Sequence, residues 1–527
     1  MYYAKTIISA VLLLLVLVVS TQAIVLSPAM SQSSTGGCIQ YEAKQKLIHI
    51  FCKSIHLTDI YNQLKNDTIL HMETDTDLKG DAFAGKVWIL NAGITIEKEG
   101  GLIIDSTDTT WLKMVPTPTI QLGKQPSPSI KENDTDTYDE DLIEGTTASS
   151  LISTQNTNNS NNNKTNSNRD QQPIFVSKNN GNNPNGIHVR GSLKIDSVKI
   201  TSWDPEKNDI IGFAFGKRAG EEHTKSDYDT AEPRGFIRVS KEATGTTDIT
   251  NSELAYLGYS CSRCSGLSYY GGVRSALKGN DIHHLLKGYY SKSMGNMIIA
   301  DNLVHDNYLY GIDPHTGSHD ISIVGNTVYN NNASGIICSK HCYNLLIAGN
   351  RVCNNTGVGR GIAFSINTTN SIARDNHVYD QLRCISFNRN SNFNEIYNNT
   401  VSKCIDGFYL ANTTNNSIHD NAVRNVTHGF VMKDINNKIN NNRVSQADNG
   451  IVFVFKPATN ETQTTDLNYV PLDSNYYHNI LSNMAKNNYF SETINMTNIK
   501  IQSIKNATSI QQVDQDNKTS LVENFLE

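Results

Sequence analysis

The sequence has no block of lysine or arginine, and its formal net charge at pH 7 is only −6. It therefore lacks the concentrated basic surface that is typical of nucleic-acid-binding proteins. Past the N-terminal segment, no apolar run approaches the roughly 20 residues that a membrane-spanning helix requires. Leucine does not recur at fixed intervals, which argues against a leucine-rich repeat. What remains is a long polar chain in which asparagine is unusually abundant.

The chain also lacks a second Cys-x-x-Cys motif, although it contains nine cysteines. Cys261/Cys264 and Cys338/Cys342 are the close pairs, and neither is joined by the further ligands of a zinc site. We expect disulfides or buried thiols, with an odd cysteine left over. No cofactor is predicted. A Ca²⁺ site made of scattered Asp and Asn oxygens would leave no motif, so Ca²⁺ binding stays open.

The N-terminus has the layout of a secretory signal, with an uncleaved anchor as the alternative. Lys5 precedes a short apolar run from Ile7 to Val19, and small residues follow at 20–23. We predict a signal peptide over residues 1–23 and a secreted protein, extracellular or at the cell surface. Asn-x-Ser/Thr sequons suit an exported glycoprotein, or arise by chance in Asn-rich turns. They include Asn66, Asn133, Asn163, Asn332, Asn354, Asn367, Asn412, Asn425, Asn495 and Asn506.

Composition divides the rest of the chain. Residues 24–80 are mixed and are interpreted as an N-terminal leader or cap. Residues 81–116 alternate apolar and β-branched side chains, as the first coils of a β fold would. Residues 117–186 are rich in Ser, Thr and Asn and predict a disordered insertion. Strand-like sequence fills residues 187–470, and the polar sequence of residues 471–527 predicts a C-terminal cap or tail.

A repeat is visible in the second half of the chain. Equivalent asparagines stand at Asn280, Asn302, Asn326, Asn350, Asn376, Asn399, Asn421 and Asn442, and subtraction gives successive spacings of 22, 24, 24, 26, 23, 22 and 21. Most repeats then place a glycine before an apolar strand: Gly288, Gly311, Gly335, Gly361, Gly407, Gly429 and Gly450, with Cys384 as the exception. Coils of about 21–26 residues with several short strands predict an all-β right-handed parallel β-helix. We expect the asparagines to adopt left-handed backbone at corners and to bond along a ladder.

One segment, Tyr310–His319, departs from the repeat by adding several chemically active side chains. Asp313 and His315 are two residues apart, so their side chains leave the same face of a strand, and Pro314 between them stiffens the pair. His315 suits proton abstraction near neutral pH, and Tyr310 can donate a proton or a hydrogen bond. Lys340 follows His315 at a spacing of 25, about one coil, so we expect it to stack beside His315. The alternative for His315 is a turn histidine without a catalytic role.

Other polar residues are weaker candidates. Lys287 and Arg360 could line a groove for an anionic polymer, and His319 could contact substrate, although each residue type is more often a solvated surface group. The remaining histidines are interpreted as ordinary residues of the coil surface: His283, His284 and His305.

These segments resemble the mannuronan C5-epimerases, the exported β-helix enzymes that act on alginate. The resemblance rests on YGIDPHTGSH at 310–319, NTVY at 326–329, GIICSK at 335–340, NSELAYLGYSCSRCSGLSY at 251–269, WILNAGITIEKEGGLIIDSTDTTWL and KITSWD. It runs from about Val87 to Asn442, interrupted by the predicted insertion. The first segment is similar to the family's Tyr-Gly-Phe-Asp-Pro-His signature.

The resemblance implies abstraction of the C5 proton of a uronic acid in a polymer and return of a proton from the other face. It implies that His315 is the general base, that Tyr310 or a water serves the opposite face, and that Asp313 orients His315 or contacts sugar. Lys340 stands where the family has an Arg that neutralises the substrate carboxylate; lysine keeps the charge and loses the bidentate fork. Thr316 replaces an Asp found in one branch of the family, and Ser339 an acidic residue found in another.

Three functions remain open on the sequence. A C5-epimerase is the leading hypothesis. A polysaccharide lyase would share the first chemical step and then expel the C4 substituent. A non-catalytic, carbohydrate-binding β-helix at the cell surface would use the same face without chemistry. In each case the partner is an anionic polysaccharide, and we expect a monomer.

Overall fold

The protein is described by a computed structural model that covers residues 37–73, 86–116, 185–212, 233–259, 263–356, 359–433, 436–453, 476–477, 479–484, 510–513 and 519–522. The predicted signal peptide, nearly all of the predicted insertion and most of the predicted C-terminal tail lie outside these residues. The chain divides into two compact units, Met1–Cys38 and Ile39–Glu527, and every described helix and strand belongs to the second.

The second unit begins with β1 (Ile39–Glu42), β2 (Leu47–Ile50), the single described helix α1 (Leu57–Leu64) and β3 (Leu70–Met72). The strands that follow are β4 (Val87–Leu90), β5 (Gly93–Ile96), β6 (Gly101–Asp105), β7 (Trp111–Met114), β8 (Gly186–Val189), β9 (Ser192–Asp196), β10 (Lys199–Asp204), β11 (Asp209–Ile210), β12 (Phe236–Val239), β13 (Thr247–Thr250), β14 (Glu253–Ala255), β15 (Gly266–Tyr269), β16 (Ser275–Lys278), β17 (Asp281–His283), β18 (Lys287–Lys292), β19 (Gly295–Ala300), β20 (Leu303–His305), β21 (Ile312–His315), β22 (His319–Val324), β23 (Thr327–Tyr329), β24 (Ile336–Cys338), β25 (Leu346–Ala348), β26 (Arg351–Cys353), β27 (Arg360–Phe364), β28 (Ile372–Arg374), β29 (His377–Asn388), β30 (Glu395–Tyr397), β31 (Thr400–Ala411), β32 (Ser417–His419), β33 (Ala422–Met432), β34 (Lys438–Asn440), β35 (Arg443–Phe453), β36 (Tyr476–Tyr477), β37 (Ile480–Met484), β38 (Ile510–Val513) and β39 (Thr519–Val522).

Three strands make one coil, and corresponding strands of successive coils pair in parallel. We name the resulting faces the first, second and third ladders. The first ladder contains β4, β7, β10, β14, β17, β20, β23, β26, β29, β31, β33, β35 and β37. The second contains β2, β5, β8, β12, β15, β18, β21, β24 and β27, and continues in the C-terminal halves of β29, β31, β33 and β35. The third has 12 strands, from β6 to β36. The chain is therefore a right-handed parallel β-helix, as the repeat predicts.

Each ladder stacks similar apolar side chains in the interior. In the first ladder the inward column runs through Ile282, Val304, Val328, Val352, Val378, Val401, Val423 and Val444. In the second, Phe364 stacks on Phe387 with ring centroids 4.7 Å apart. β-branched and aromatic residues pack well on the pleated surface of such a ladder. Fully burying each of them contributes about 1.5–3 kcal/mol, so the interior column is the main source of stability.

The predicted asparagine ladder is present at one corner of every coil from Asn280 onward. Each side-chain amide donates to the next one at 2.9–3.1 Å, and the series extends beyond the predicted residues to Asn479. These asparagines are buried, so the ladder satisfies polar groups that water does not reach. Shorter ladders join Asn307, Asn331 and Asn355, and Asn394, Asn416 and Asn437.

The other expectation for these asparagines, left-handed backbone, is wrong. Positive φ falls on the residue before each ladder asparagine: Gly279, Asp301, Gly325, Gly349, Asp375, Asn398, Asp420 and Asn441. The short polar side chains or glycine at that place tolerate the left-handed turn. The ladder asparagine itself needs its side chain pointing along the helix axis, so the two roles are divided between neighbouring residues.

The glycines of the repeat form a column, interrupted by Cys384, in which a Cβ would approach the next coil closely. A Cβ on Gly311 would lie 2.6 Å from the carbonyl oxygen of Gly335 in the next coil. Gly335, Gly407 and Gly429 meet the same obstacle at 2.4–3.0 Å. Their φ values are not positive, so close approach between coils, rather than turn geometry, explains the glycines.

The sequence leaves open whether the cysteines form disulfides or remain buried thiols, and seven of those that the structure describes are disulfide-bonded. Cys338 is bonded to Cys342 and Cys384 to Cys404, and Cys38, Cys52 and Cys264 are also disulfide-bonded. Cys353 is the free cysteine among the described residues. Cys384, the exception in the glycine column, thus reaches the following coil by a covalent bond. None of the described residues forms a helix that is long and apolar enough to cross a membrane.

Candidate active site on the second ladder

The candidate site is centred on the strand Ile312–His315 of the second ladder. Ile312 is fully buried in the central core, so the alternation of a strand directs Asp313 and His315 to the outer face. The preceding coil contributes Tyr290 opposite Asp313 and Lys292 opposite His315. The motif that breaks the repeat therefore lies on an outward face, with neighbours from the adjacent coil beside it.

Asp313 is completely buried and lies between two donors. The Nζ atom of Lys287 is 3.3 Å from one carboxylate oxygen, and Ser339 Oγ donates to the other at 2.7 Å. A buried carboxylate needs an opposite charge and hydrogen bonds to remain ionised. Three successive coils thus supply the cation, the carboxylate and the hydroxyl. Lys287, expected only to bind substrate, is an integral part of this network.

Aromatic rings enclose the ammonium group of Lys287. Its Nζ atom is 4.3 Å from the ring centroid of Tyr290 and 5.3 Å from that of Tyr310. Tyr310 is buried and precedes the strand by two residues, and Tyr290 packs against the imidazole of His315 with centroids 5.4 Å apart. Such cation–π contacts hold the ammonium group in place and fix its direction.

Contacts with Thr316 orient the imidazole of His315 and bear on its tautomer. The Thr316 amide donates to Nδ1 at 2.9 Å, and the Thr316 hydroxyl lies 2.6 Å from the same atom. The amide can only donate, so it favours the neutral tautomer with its proton on Nε2; the hydroxyl accommodates either tautomer. Ser318 Oγ donates to the His315 carbonyl at 2.7 Å and holds the end of the strand. The orientation of the ring is therefore set by the turn that follows it.

Lys340 lies one position away from the place expected for it. The aligned pairs on either side of the site are Ile312 with Ile336 and His319 with Tyr343. Both pairs have the same offset of 24 (336 − 312 and 343 − 319), which sets Ser339 opposite His315 and Lys340 opposite Thr316. The offset between the two coils is therefore 24 residues, one fewer than the 25 that separate His315 from Lys340. Across the described part of the chain, no hydrogen bond or ion pair of the Lys340 ammonium group is seen.

The two other candidates lie on strands other than that of His315. His319 begins a strand of the third ladder, where its ring stacks on Tyr343 and its Nδ1 contacts Asp320 at 2.6 Å. Arg360 begins β27, two strands along the second ladder, and is buried. Tyr290 was missed by the sequence analysis. Its separation from Asp313 along the chain is close to a coil length, and this is the signal that could have identified it.

The three histidines expected on the coil surface form a separate cluster on the first ladder. His283 stacks on His305 with centroids 5.0 Å apart, and its Nδ1 lies 2.7 Å from that of His284. Burial disfavours protonation of His305, but hydrogen bonds to Asp281 and Asp306 outweigh it and raise its pKa to about 9. Burial and the adjacent His283 lower the pKa of His284 to about 4. These residues are part of a packed, charged stack.

The side chains around His315 can carry out proton transfer by themselves. They are a histidine, a tyrosine, a lysine paired with a buried aspartate, and a second lysine. Together they can move protons and neutralise a carboxylate on a bound substrate. Within the described ranges, no three His, Cys, Asp or Glu side chains approach closely enough to hold a metal ion.

Comparisons with known proteins bear on the fold and on the family resemblance. Residues 237–365 match the family model described as right handed beta helix region. The chain is 28% identical over 285 residues to mannuronan C5-epimerase of Pseudomonas putida, covering 50% of this chain and 46% of that protein. It is 27% identical over 146 residues to mannuronan C5-epimerase of Pseudomonas fluorescens, covering 25% and 24%. The chain thus spans about half or less of the length of these relatives.

Among solved structures, the chain is similar to the periplasmic alginate epimerase AlgG. The TM-score is 0.50 and the identity 17%, with 85% of this chain and 82% of that chain covered. At this identity the likeness concerns the fold alone. The comparisons confirm the right-handed β-helix and the resemblance to mannuronan C5-epimerases that the sequence motifs indicate.

Proposed function

We propose that this protein is an exported C5-epimerase that acts on uronic acid residues within an anionic polysaccharide. One observation carries the proposal: the partly buried Lys287 and the buried Asp313 and Ser339 form a network from three coils, immediately beside His315 and Tyr310 on one outward face. A face that crosses several coils suits an extended polymer, because each coil can contact a successive sugar.

Epimerisation begins with removal of the proton from C5, which is adjacent to the uronate carboxylate. The carbanion is stabilised when its negative charge spreads onto that carboxylate as an enolate, so the site must supply positive charge there. Lys340 is proposed for this task, since no described protein carboxylate neutralises it. The charge of Lys287 is already shared with Asp313, and we assign it to holding that carboxylate and Tyr310 in place.

Inversion at C5 requires one group on each face of the sugar ring. His315 and Tyr310 are proposed for these roles, with His315 as the base. For that role the His315 ring must carry its proton on Nδ1, donating to the Thr316 hydroxyl, so that Nε2 is free to accept. The Thr316 amide favours the opposite tautomer, in which Nε2 donates. The proton taken by one group is balanced by the proton that the other returns to the opposite face.

The substrate proposed is polymannuronate or a related uronate polymer, by analogy with the named activity of the relatives. Arg360 and His319 are proposed to contact sugars on either side of the reacting unit. Export is supported by the signal-like N-terminus. The reaction needs no redox chemistry or group carrier, and any contribution from Ca²⁺ is a question for the assay below.

The test is incubation of the mature chain with polymannuronate in deuterated water, with and without added Ca²⁺. Proton NMR follows the guluronate signals and the loss of the C5 proton signal as deuterium replaces that proton. Ultraviolet absorbance follows the formation of unsaturated uronates. Epimerisation predicts deuterium and guluronate without an absorbance rise. An absorbance rise with chain shortening would instead establish a lyase, and binding without either signal would support a non-catalytic role.

Single substitutions test the proposed roles of His315 and Lys340. His315→Ala and Lys340→Ala should abolish turnover while the polymer still binds, whereas Lys278→Ala, an exposed lysine of the third ladder, should be unaffected. His315→Asn and His315→Gln place an amide near Nδ1 and Nε2 respectively. Neither can act as a base, so both should be inactive; substantial activity of His315→Gln would contradict the base role and indicate a donor at Nε2.

A further inference from the structure

The disulfide between Cys338 and Cys342 encloses the part of the site that comes from the third coil. Between the two cysteines lie Ser339, Lys340 and His341. Ser339 donates to the buried carboxylate of the site at 2.7 Å, and Lys340 is the proposed partner of the substrate carboxylate. Both groups are therefore presented by a loop that is closed covalently.

Neighbouring coils hold the equivalent turn by a hydrogen bond instead. Ser318 Oγ donates to the carbonyl of His315 at 2.7 Å, and Thr368 Oγ1 donates to the carbonyl of Ser365 at 2.7 Å. Tyr343 pairs with His319 in the preceding coil and with Thr369 in the following one. Cys342 therefore occupies the position in its coil that Ser318 and Thr368 occupy in theirs. The hydroxyl-to-carbonyl bond of a generic coil has thus been replaced by a disulfide in the coil that carries Lys340.

The disulfide also lies directly against the strand of the site. Cys342 Sγ is 3.3 Å from the carbonyl oxygen of Pro314, the residue between Asp313 and His315, and the amide of Ser339 donates to that same oxygen at 3.1 Å. Cys338 and Cys342 are both buried. The loop contains one strained residue, since His341 has φ of 53°. A covalent closure keeps such a turn from relaxing.

We infer that the Cys338–Cys342 disulfide is a positioning element for catalysis, which holds Ser339 and Lys340 against Asp313 and the substrate. This inference rests on the proposed function. Its effect is local: the bond closes a loop with a sequence separation of only 4, so it constrains the unfolded chain little. The Cys384–Cys404 bond closes a separation of 20 and lies outside the site, so it constrains the unfolded chain more.

The chain therefore offers a matched control. C338A/C342A and C384A/C404A each remove one buried disulfide from the same β-helix. We expect the first pair to lower kcat on polymannuronate roughly tenfold or more with a smaller change in KM, because a displaced Lys340 weakens transition-state stabilisation. We expect the second pair to lower the melting temperature further while leaving kcat within about twofold. C338A/C342S restores the hydroxyl of neighbouring coils and should recover part of the lost kcat.

Hydrogen–deuterium exchange of the segment 336–343 gives a readout that needs no turnover. C338A/C342A should increase exchange there, and C384A/C404A should not. Equal exchange and equal kcat in C338A/C342A and the wild type would overturn the inference. A wild type with no activity on uronate polymers would refute the proposed function, and the exchange measurement would still decide whether the disulfide orders the loop. Should C338A/C342A fail to fold, Ser339→Ala keeps the disulfide, and full activity of that variant would overturn the inference.

Discussion

Replacing one asparagine of the long ladder tests whether the amide column holds the coils together. Asn350 is buried in the middle of the ladder, in the coil that follows Lys340. Its Nδ2 donates to Ile323 and to Asn376 Oδ1, both at 2.9 Å. Its Oδ1 accepts from the backbone amide of Asn326 at 2.9 Å and from the Asn326 side chain at 3.0 Å. Asn350→Ala removes all four hydrogen bonds at once.

The loss of stability depends on which buried groups are left without any hydrogen-bond partner. The Asn326 side chain keeps two other acceptors, the carbonyls of Ile299 and Val324, so its loss is modest. The Asn326 backbone amide is left buried and unpaired, at about 1–3 kcal/mol. Each of the other lost bonds adds about 0.5–1.5 kcal/mol. We expect Asn350→Ala to lower the free energy of unfolding by about 3–5 kcal/mol, the scale of a large core truncation.

Urea unfolding followed by circular dichroism measures this loss. The control is Asn354→Gly, at a nearby corner, where an exposed asparagine with φ of 50° makes one side-chain hydrogen bond to Asn330. Glycine accepts that backbone, so the change should stay within about 1 kcal/mol. A loss below about 1 kcal/mol for Asn350→Ala would refute the idea that the ladder contributes to stability.

Asn350→Asp separates the donor half of the amide from the acceptor half. The new carboxylate would accept from Asn326, but it would face the oxygens of Ile323 and Asn376 without a proton to donate. Burial and these acceptors raise its pKa in the folded state. A folded-state pKa above the unfolded value contributes stability at low pH that is lost as pH rises. Asn350→Asp should therefore be closer to wild type at pH 4 than at pH 8, and the opposite trend would contradict the geometry.

Two further predictions concern the glycine column and the first ladder. Gly407→Ala places a Cβ 2.6 Å from a carbonyl oxygen of the next coil and should cost about 1–3 kcal/mol of stability in urea unfolding. Gly212→Ala, where a Cβ meets nothing within 4 Å, should be neutral. His305 has a pKa raised from 6.5 to about 9 by Asp281 and Asp306 despite its burial, so it stabilises the fold fully below pH 6.5 and loses that effect as pH rises through 9. His305→Gln should therefore lower stability by about 2 kcal/mol at pH 6 and by much less at pH 10; equal losses would exclude the ion pair as its cause.

The fold could be predicted from the sequence because the ladder repeats a single residue type. A buried amide that must bond to its equivalents above and below tolerates little else, so the period is visible at Asn280 and every coil after it. The glycine column is visible for the same reason, since close contact between coils disfavours a Cβ at the glycine positions. The backbone at the corner was misjudged because the position before each ladder asparagine is filled by Gly, Asp or Asn, and the pattern is spread over three residue types.

The site was only partly predictable. Asp313 and His315 share a strand, and the alternation of side chains is enough to place them on one face. Contacts between coils depend on coil length, and a difference of a single position moved Lys340 from His315 to Thr316. The pairing of Lys287 with Asp313 joins side chains of adjacent coils that are 26 positions apart in the sequence, a contact that no local pattern reveals. The second disulfide was missed because Cys384 and Cys404 have a sequence separation of 20 and become neighbours only through the coil repeat.

The asparagine ladder has one more consequence. Between Asn442 and Asn479 the sequence separation is 37, yet the amide of the first still bonds to the second as in a coil of ordinary length. The hydrogen bonds of the ladder thus fix the position of each corner independently of how many residues separate one ladder asparagine from the next. Insertions and deletions between these asparagines can therefore be tolerated without moving Lys287, Asp313 and Ser339 relative to one another.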